Sequence, residues 1–104
     1  MAFKALSISM SPDADHARHR CEIDTGKYQL FSVVVKNPGE AVEVCREFAE
    51  KVSIHSVLLC PGFTNKDIAE ISETVGAGVG VCVARCDGPS GKIAMEAMQK
   101  AGFF

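Results

Sequence analysis

The sequence predicts an α/β fold: a small three-layer α/β/α sandwich whose sheet is mostly parallel, with one antiparallel edge strand. Three observations carry that prediction. From Tyr28 onward strand-like and helix-like periodicities alternate, and strand–helix–strand connections build parallel sheets through right-handed crossovers. The strand Ile54 to Leu59 is apolar on both faces, as parallel strands covered by helices are. Ahead of these, Arg20 to Asp24 alternates in polarity and runs into a Thr25-Gly26 turn, the pattern of a hairpin.

Phe3 to Met10 is apolar with Ser7 and Ser9 interleaved, and reads as an interior strand. Ser11-Pro12-Asp13-Ala14-Asp15 ends it, since Pro removes a donor and Asp favours turns. Two readings compete for the segment that follows. One pairs Arg20–Asp24 with the β-branched and aromatic run Tyr28–Val35. The other is a helix from Pro12 to about Ile23, with Ala14, Ala17 and Cys21 on one face and Gly26 past its end. Asp, His and Cys are mediocre helix formers and that face is thin. The hairpin is preferred.

From Asn37 the signals sharpen. Asn37 can cap, Pro38 suits the first helical position, and Glu40 stands where a capping box places its acid. Ala41, Val42, Cys45, Phe48, Ala49 and Val52 recur at helical spacing, with Glu43, Arg46, Glu47 and Glu50 on the wet side. Thr64 caps the next helix, with Asp67 favourable in its first turn. Ile68, Ile71, Ser72 and Val75 make its inner face, and Gly76 stops it. Val79 to Arg85 is the last strand, and Ser90 to Ala101 a final helix with Ile93, Ala94, Ala97, Met98 and Ala101 on its apolar side. Phe103 and Phe104 end the chain.

Composition narrows the function classes. A chain of 104 residues is expected to form one domain, residues 1–104. A net charge of −2 argues against a nucleic-acid partner. No apolar run approaches the roughly 20 residues a membrane helix needs, so no membrane partner is expected. Met1-Ala2-Phe3-Lys4 leads straight into a strand without the organisation of a signal peptide, which suggests a cytoplasmic protein. The five cysteines, Cys21, Cys45, Cys60, Cys82 and Cys86, are odd in number, irregular in spacing and without a Cys-x-x-Cys. That pattern disfavours a disulfide framework, a zinc site and a thioredoxin-like motif. They read as small apolar packing residues of a reducing compartment.

The chain is organised around Val57-Leu58-Leu59-Cys60-Pro61-Gly62-Phe63-Thr64-Asn65, a strand that runs through a tight loop into a helix. In open α/β sheets ligands bind at the carboxyl ends of strands. The candidate ligand-binding residues are those that follow three strands there: Ser9 and Met10; Cys60, Gly62, Phe63 and Thr64; and Arg85, Asp87, Gly88, Ser90 and Lys92. A small molecule or anion is the expected ligand, because glycine loops and helix N-termini converge on that edge. No cofactor is implied.

Ala41-Val42-Glu43-Val44, Leu59-Cys60-Pro61-Gly62-Phe63 and Val83-Ala84-Arg85-Cys86-Asp87-Gly88, in this order and spacing, resemble a family of small bacterial and archaeal proteins of unknown function. The resemblance spans the last three quarters of the chain. The family pattern has Gly where this chain has Pro61 and Thr64, which makes the present loop stiffer. No activity, and so no catalytic role, follows from the resemblance.

Several motifs have plainer readings. Asp87-Gly88-Pro89-Ser90-Gly91-Lys92 follows a strand and opens a helix, but Cys86 and Ile93 stand where a nucleotide-hydrolase loop needs Gly and Ser or Thr. What remains is an anion-holding helix start with Lys92 and Arg85 nearby, against an ordinary capped helix. Gly76-Ala77-Gly78-Val79-Gly80 precedes a strand rather than following one, so it is not a dinucleotide loop. Cys60, before a helix N-terminus, is the candidate catalytic nucleophile. A base is needed; His55 should lie about 16 Å away at the other end of the strand, only His16 and His19 are left to supply one, and a structural thiol is the plainer reading. Asp13, Asp15, His16 and His19 have metal-ligand chemistry but irregular spacing, and read as a solvated turn, with no metal expected. The aromatic tail and apolar final helix suggest a symmetric homodimer, against the alternative that both rings fold back onto their own domain.

Overall fold

The computed structural model describes residues 1–104. In chain order it contains β1 (Phe3–Met10), β2 (Arg20–Asp24), β3 (Tyr28–Val35), α1 (Pro38–Lys51), β4 (Ser56–Leu59), α2 (Asn65–Val75), β5 (Gly80–Val83) and α3 (Gly88–Lys100). One five-stranded sheet has the order β2-β3-β1-β4-β5. β2 is antiparallel to β3 and every other pairing is parallel. The α/β class, the mostly parallel sheet and the antiparallel edge strand are as the sequence implies. The hairpin holds too, with Cys21 opposite Ser32 and Ile23 opposite Leu30.

Crossover handedness decides where the helices lie. The step from β3 through α1 to β4 passes over β1, and the step from β4 through α2 to β5 continues in the same direction. Right-handed crossovers that travel one way put their helices on one face, and α1 and α2 do pack against each other. Into that face point Leu6 and Ile8 of β1, Val33 and Val35 of β3, and Val57 and Leu59 of β4. Registry stacks Leu6 beside Phe31 and Val57, and Ile8 beside Val33 and Leu59. Ala41, Val44, Cys45 and Phe48 of α1 and Ile71 of α2 close over them as one cluster. Each fully buried aliphatic side chain there contributes about 1.5–3 kcal/mol of transfer free energy.

The one connection that travels the other way, from β1 to β3, is made by the β2 hairpin and carries no helix. The second face of the sheet therefore receives no packed layer. Ser7 lies there beside Ser32 and Leu58, with Cys82 beside Leu58 and Cys21 beside Ser32. Phe3, Ile23, Tyr28 and Leu58 remain exposed. Phe3 stacks between Tyr28 and His55, with ring centroids 5.8 Å and 5.7 Å apart. α3 has no buried residue at all. It stands at the carboxyl edge, and the radius of gyration, 14.0 Å, exceeds the roughly 13 Å of a compact chain of this length.

Helix starts follow their capping residues, with one difference. Asn37 accepts a hydrogen bond from the Glu40 N–H at 2.9 Å, but Glu40 Oε1 reaches one residue further back than a capping box, to the Lys36 N–H at 2.8 Å. The full box forms at α2. Thr64 Oγ1 accepts from the Asp67 N–H, and the Asp67 carboxylate accepts from the Thr64 N–H. At the edge, Arg20 bonds Glu47 at 2.9 Å and lies over the Phe48 ring, which ties β2 to α1. Being partly exposed, that ion pair adds no more than about 1 kcal/mol.

Because Leu6 is fully buried, Leu6→Ala should cost about 3 kcal/mol in urea unfolding. Glu73→Ala, on the exposed side of α2, should stay within about 0.5 kcal/mol.

Candidate functional site

The parallel strands β1, β4 and β5 end together, and α3 stands across their carboxyl ends. Between them lies a cleft of about 1030 Å³. Ser9 and Met10 of β1, Cys60 to Gly62 after β4, and Val83 and Ala84 at the end of β5 form its floor. α3 contributes Gly91, Ala94, Met95 and Met98, which share one helical face, and Phe103 and Phe104 complete the lining.

Glycines set the approach of the walls. A Cβ on Gly62 would stand 2.9 Å from Met10 Cε and 3.8 Å from Cys60 Sγ, so the methionine methyl and the thiol flank that residue. A Cβ on Gly91 would meet Cys86 Sγ at 3.0 Å. The missing side chain lets α3 pass the thiol closely. Phe103 folds back through its N–H, which donates to the Met98 carbonyl at 3.0 Å. It is half-buried, whereas Phe104 is 74% exposed. A smaller recess with Met10, Ser11, Pro12 and Lys36 lies on the other side of the two rings.

Six of the candidate residues line this cleft: Ser9, Met10, Cys60, Gly62, Asp87 and Gly88. The others do not. Phe63 is buried in the core and Thr64 is spent as the cap of α2. Arg85, Ser90 and Lys92 are exposed and outside the lining. The start of α3 is also less free than its sequence suggests. The Asp87 carboxylate accepts from the Ser90 N–H at 3.2 Å, Pro89 has no N–H, and the Gly91 N–H bonds the Asp87 carbonyl at 2.7 Å. A carboxylate already sits where an anion would seek those donors.

The lining contains no histidine. His55 lies at the amino end of β4, its Nδ1 accepting from the Lys4 N–H at 3.0 Å. His19 Nδ1 accepts from the Asp15 N–H at 2.9 Å within the turn after β1. The neighbouring Asp13 carboxyl is held below its ordinary pKa, chiefly by the Ser11 hydroxyl. No group of three or more His, Cys, Asp or Glu side chains is placed to hold a metal ion. What the cleft offers is apolar surface, two thiols and one carboxylate.

A family of unknown function, DUF6506, matches residues 3–99. The chain belongs to that family. The match takes in β1 and the hairpin as well as the segments that carried the resemblance, and leaves out only the ends of the chain. No curated protein and no solved structure matches the chain. No helix is long and apolar enough to cross a membrane.

The sequence signal for the missed cleft residues was present in α3. Ala94 and Met98 belonged to its apolar side, but nothing in the periodicity of a terminal helix says which surface that side meets.

Thiol accessibility gives a direct check on the geometry. Cys21, Cys82 and Cys86 are exposed, Cys60 is half-buried and Cys45 is buried. Burial pushes the Cys45 thiol from 9.0 up to about 12. Iodoacetamide at mildly alkaline pH should modify Cys86 early and Cys45 only on unfolding. Because the Cys45 thiolate is disfavoured in the folded state alone, its contribution to stability is intact below pH 9.0 and falls as pH rises towards about 12. Cys45→Ala should remove that part of the alkaline decline in a urea midpoint-against-pH series.

Proposed function

We propose that this protein binds a small, largely apolar molecule in the cleft between the strand ends and α3. The observation that carries this reading is the lining itself. Most residues lining the cleft of about 1030 Å³ are apolar, Met10, Val83, Ala84, Ala94, Met95 and Met98 among them, and its volume is at the upper end of the size at which small-molecule sites occur. Methionines suit such a role because an unbranched thioether adapts to irregular shapes. Polar handles are few: the Ser9 hydroxyl, the Asp87 carboxylate, the two thiols and the loop backbone around Gly62.

Charge favours a neutral or weakly cationic ligand over the anion suggested by the glycine loops. Asp87 is the only Asp, Glu, Lys or Arg in the lining, and its carboxylate occupies the Ser90 N–H at the start of α3. The thiol-dependent alternative rests on Cys60, which faces this cleft with Cys86. It lacks a histidine partner among the lining residues, and a cysteine nucleophile ordinarily needs a base within hydrogen-bond reach. Binding is the better supported reading.

A neutral solvatochromic dye such as Nile red tests it. Emission should rise and shift to the blue with saturation near one dye per chain. Ala94→Trp, which fills the cleft from a site carrying no buried residue, should weaken binding at least about tenfold, a loss of about 1.4 kcal/mol, with the circular dichroism unchanged. Non-saturable binding, or binding indifferent to Ala94→Trp, would overturn the proposal. Native mass spectrometry of protein from its own cell should retain the physiological ligand.

A further inference from the structure

We infer that the uncovered face of the sheet is an interface with a second copy of this chain, closed by the flank of α3 that the cleft does not use. Parallel strands are ordinarily covered on both faces, and here only one is. The inference stands apart from the cleft reading and uses different surfaces.

Charge is the first argument for the occupant. Strand alternation sends Lys4, Arg20, Glu22 and Asp24 away from the open face, towards α1 or the sheet edge. Lys4 Nζ bonds the Val52 carbonyl, and Arg20 bonds Glu47. The strand residues left on the open face include no Asp, Glu, Lys or Arg. A two-fold assembly sets the sheet face of one copy against the α3 flank of the other, and an uncharged, apolar face suits an apolar flank. A charged partner would find nothing there to pair with.

Size is the second argument. Five strands spaced about 4.8 Å apart and averaging some six residues give a patch of roughly 24 Å by 20 Å. With side-chain relief, and with α3 added, that approaches the roughly 800 Å² per partner of a standard interface. Phe3, Ile23, Tyr28 and Leu58 are its large exposed side chains, of the aromatic and aliphatic kind that anchors interfaces.

The third argument is that the chain itself has an apolar helix surface without a seat. Gly91, Ala94, Met95 and Met98 face the cleft. Ile93, Ala97 and Ala101 form the adjoining flank at i, i+4 spacing, and all three are exposed. The sheet lacks a helical layer and α3 lacks a sheet. Two-fold pairing supplies each from the other copy and closes the assembly at two subunits.

Sedimentation velocity of the full chain at about 50 µM, above the micromolar limit of standard interfaces, should show a dimer. Leu58→Lys on the sheet face and Ile93→Glu on the α3 flank should each raise the dissociation constant at least about tenfold, with the circular dichroism preserved. Tyr28→Lys reads the same sheet contact if Leu58→Lys unfolds. A monomeric parent protein overturns the inference. So does a dimer indifferent to either the sheet or the helix substitution.

Discussion

The handedness of the two helical crossovers is the constraint from which the rest of the molecule follows. Because α1 and α2 both carry the chain in one direction across the sheet, both must fall on one face. That concentrates the core into a single seam: Leu6, Ile8, Val57 and Leu59 from the central strands against Ala41, Val44, Cys45 and Ile71 from the helices. A doubly wound sheet covers its second face because some of its helical crossovers run the other way. In this chain the only step in that direction is made by a five-residue strand and its turn, β2, which lies in the plane of the sheet and covers nothing.

α3 packs on neither face of the sheet. It leaves β5 through Asp87, is stopped by the left-handed Gly102 at φ 87°, and comes to rest where the strand ends offer apolar surface. Its apolar arc is wide enough for two neighbours. One side overlooks Met10, Cys60 and Val83, and the other, from Ile93 to Ala101, faces away from the cleft. The cleft and the bare sheet face thus have a common origin in a fold with one helix fewer than its sheet can carry.

Local chemistry was read from the sequence with little error where a residue acts on its near neighbours. Asn37 caps α1 and Thr64 caps α2, because these bonds span only three residues, whereas the box expected at Glu40 formed instead at Asp67. The β2–β3 hairpin was legible for the same reason: its register is set by a turn at Thr25-Gly26, where Gly26 takes φ 100°. Element ends were read less well. The last strand stops at Val83 rather than Arg85, and α3 begins at Gly88 rather than Ser90. β5 is an edge strand whose length depends on how much of β4 lies beside it, and Asp87 caps α3 three residues ahead of the first expected helical residue.

What the sequence by itself determined, then, is the set of elements, their parallel pairing and the edge at which the strand ends and helix starts gather, since all of these rest on periodicity, capping and chain connectivity. Tertiary structure alone decided which candidate residues share a surface. Phe63 turned inward to the core, whereas Met95, Met98 and Phe103, some 35 to 45 residues along the chain from Cys60, came to line the same cleft. Only the folded chain shows that an apolar stripe on α3 splits between its own cleft and an empty flank. A stripe in a sequence reports that burial is favourable; which surface supplies it depends on distant strands and on the hand of the connections between them.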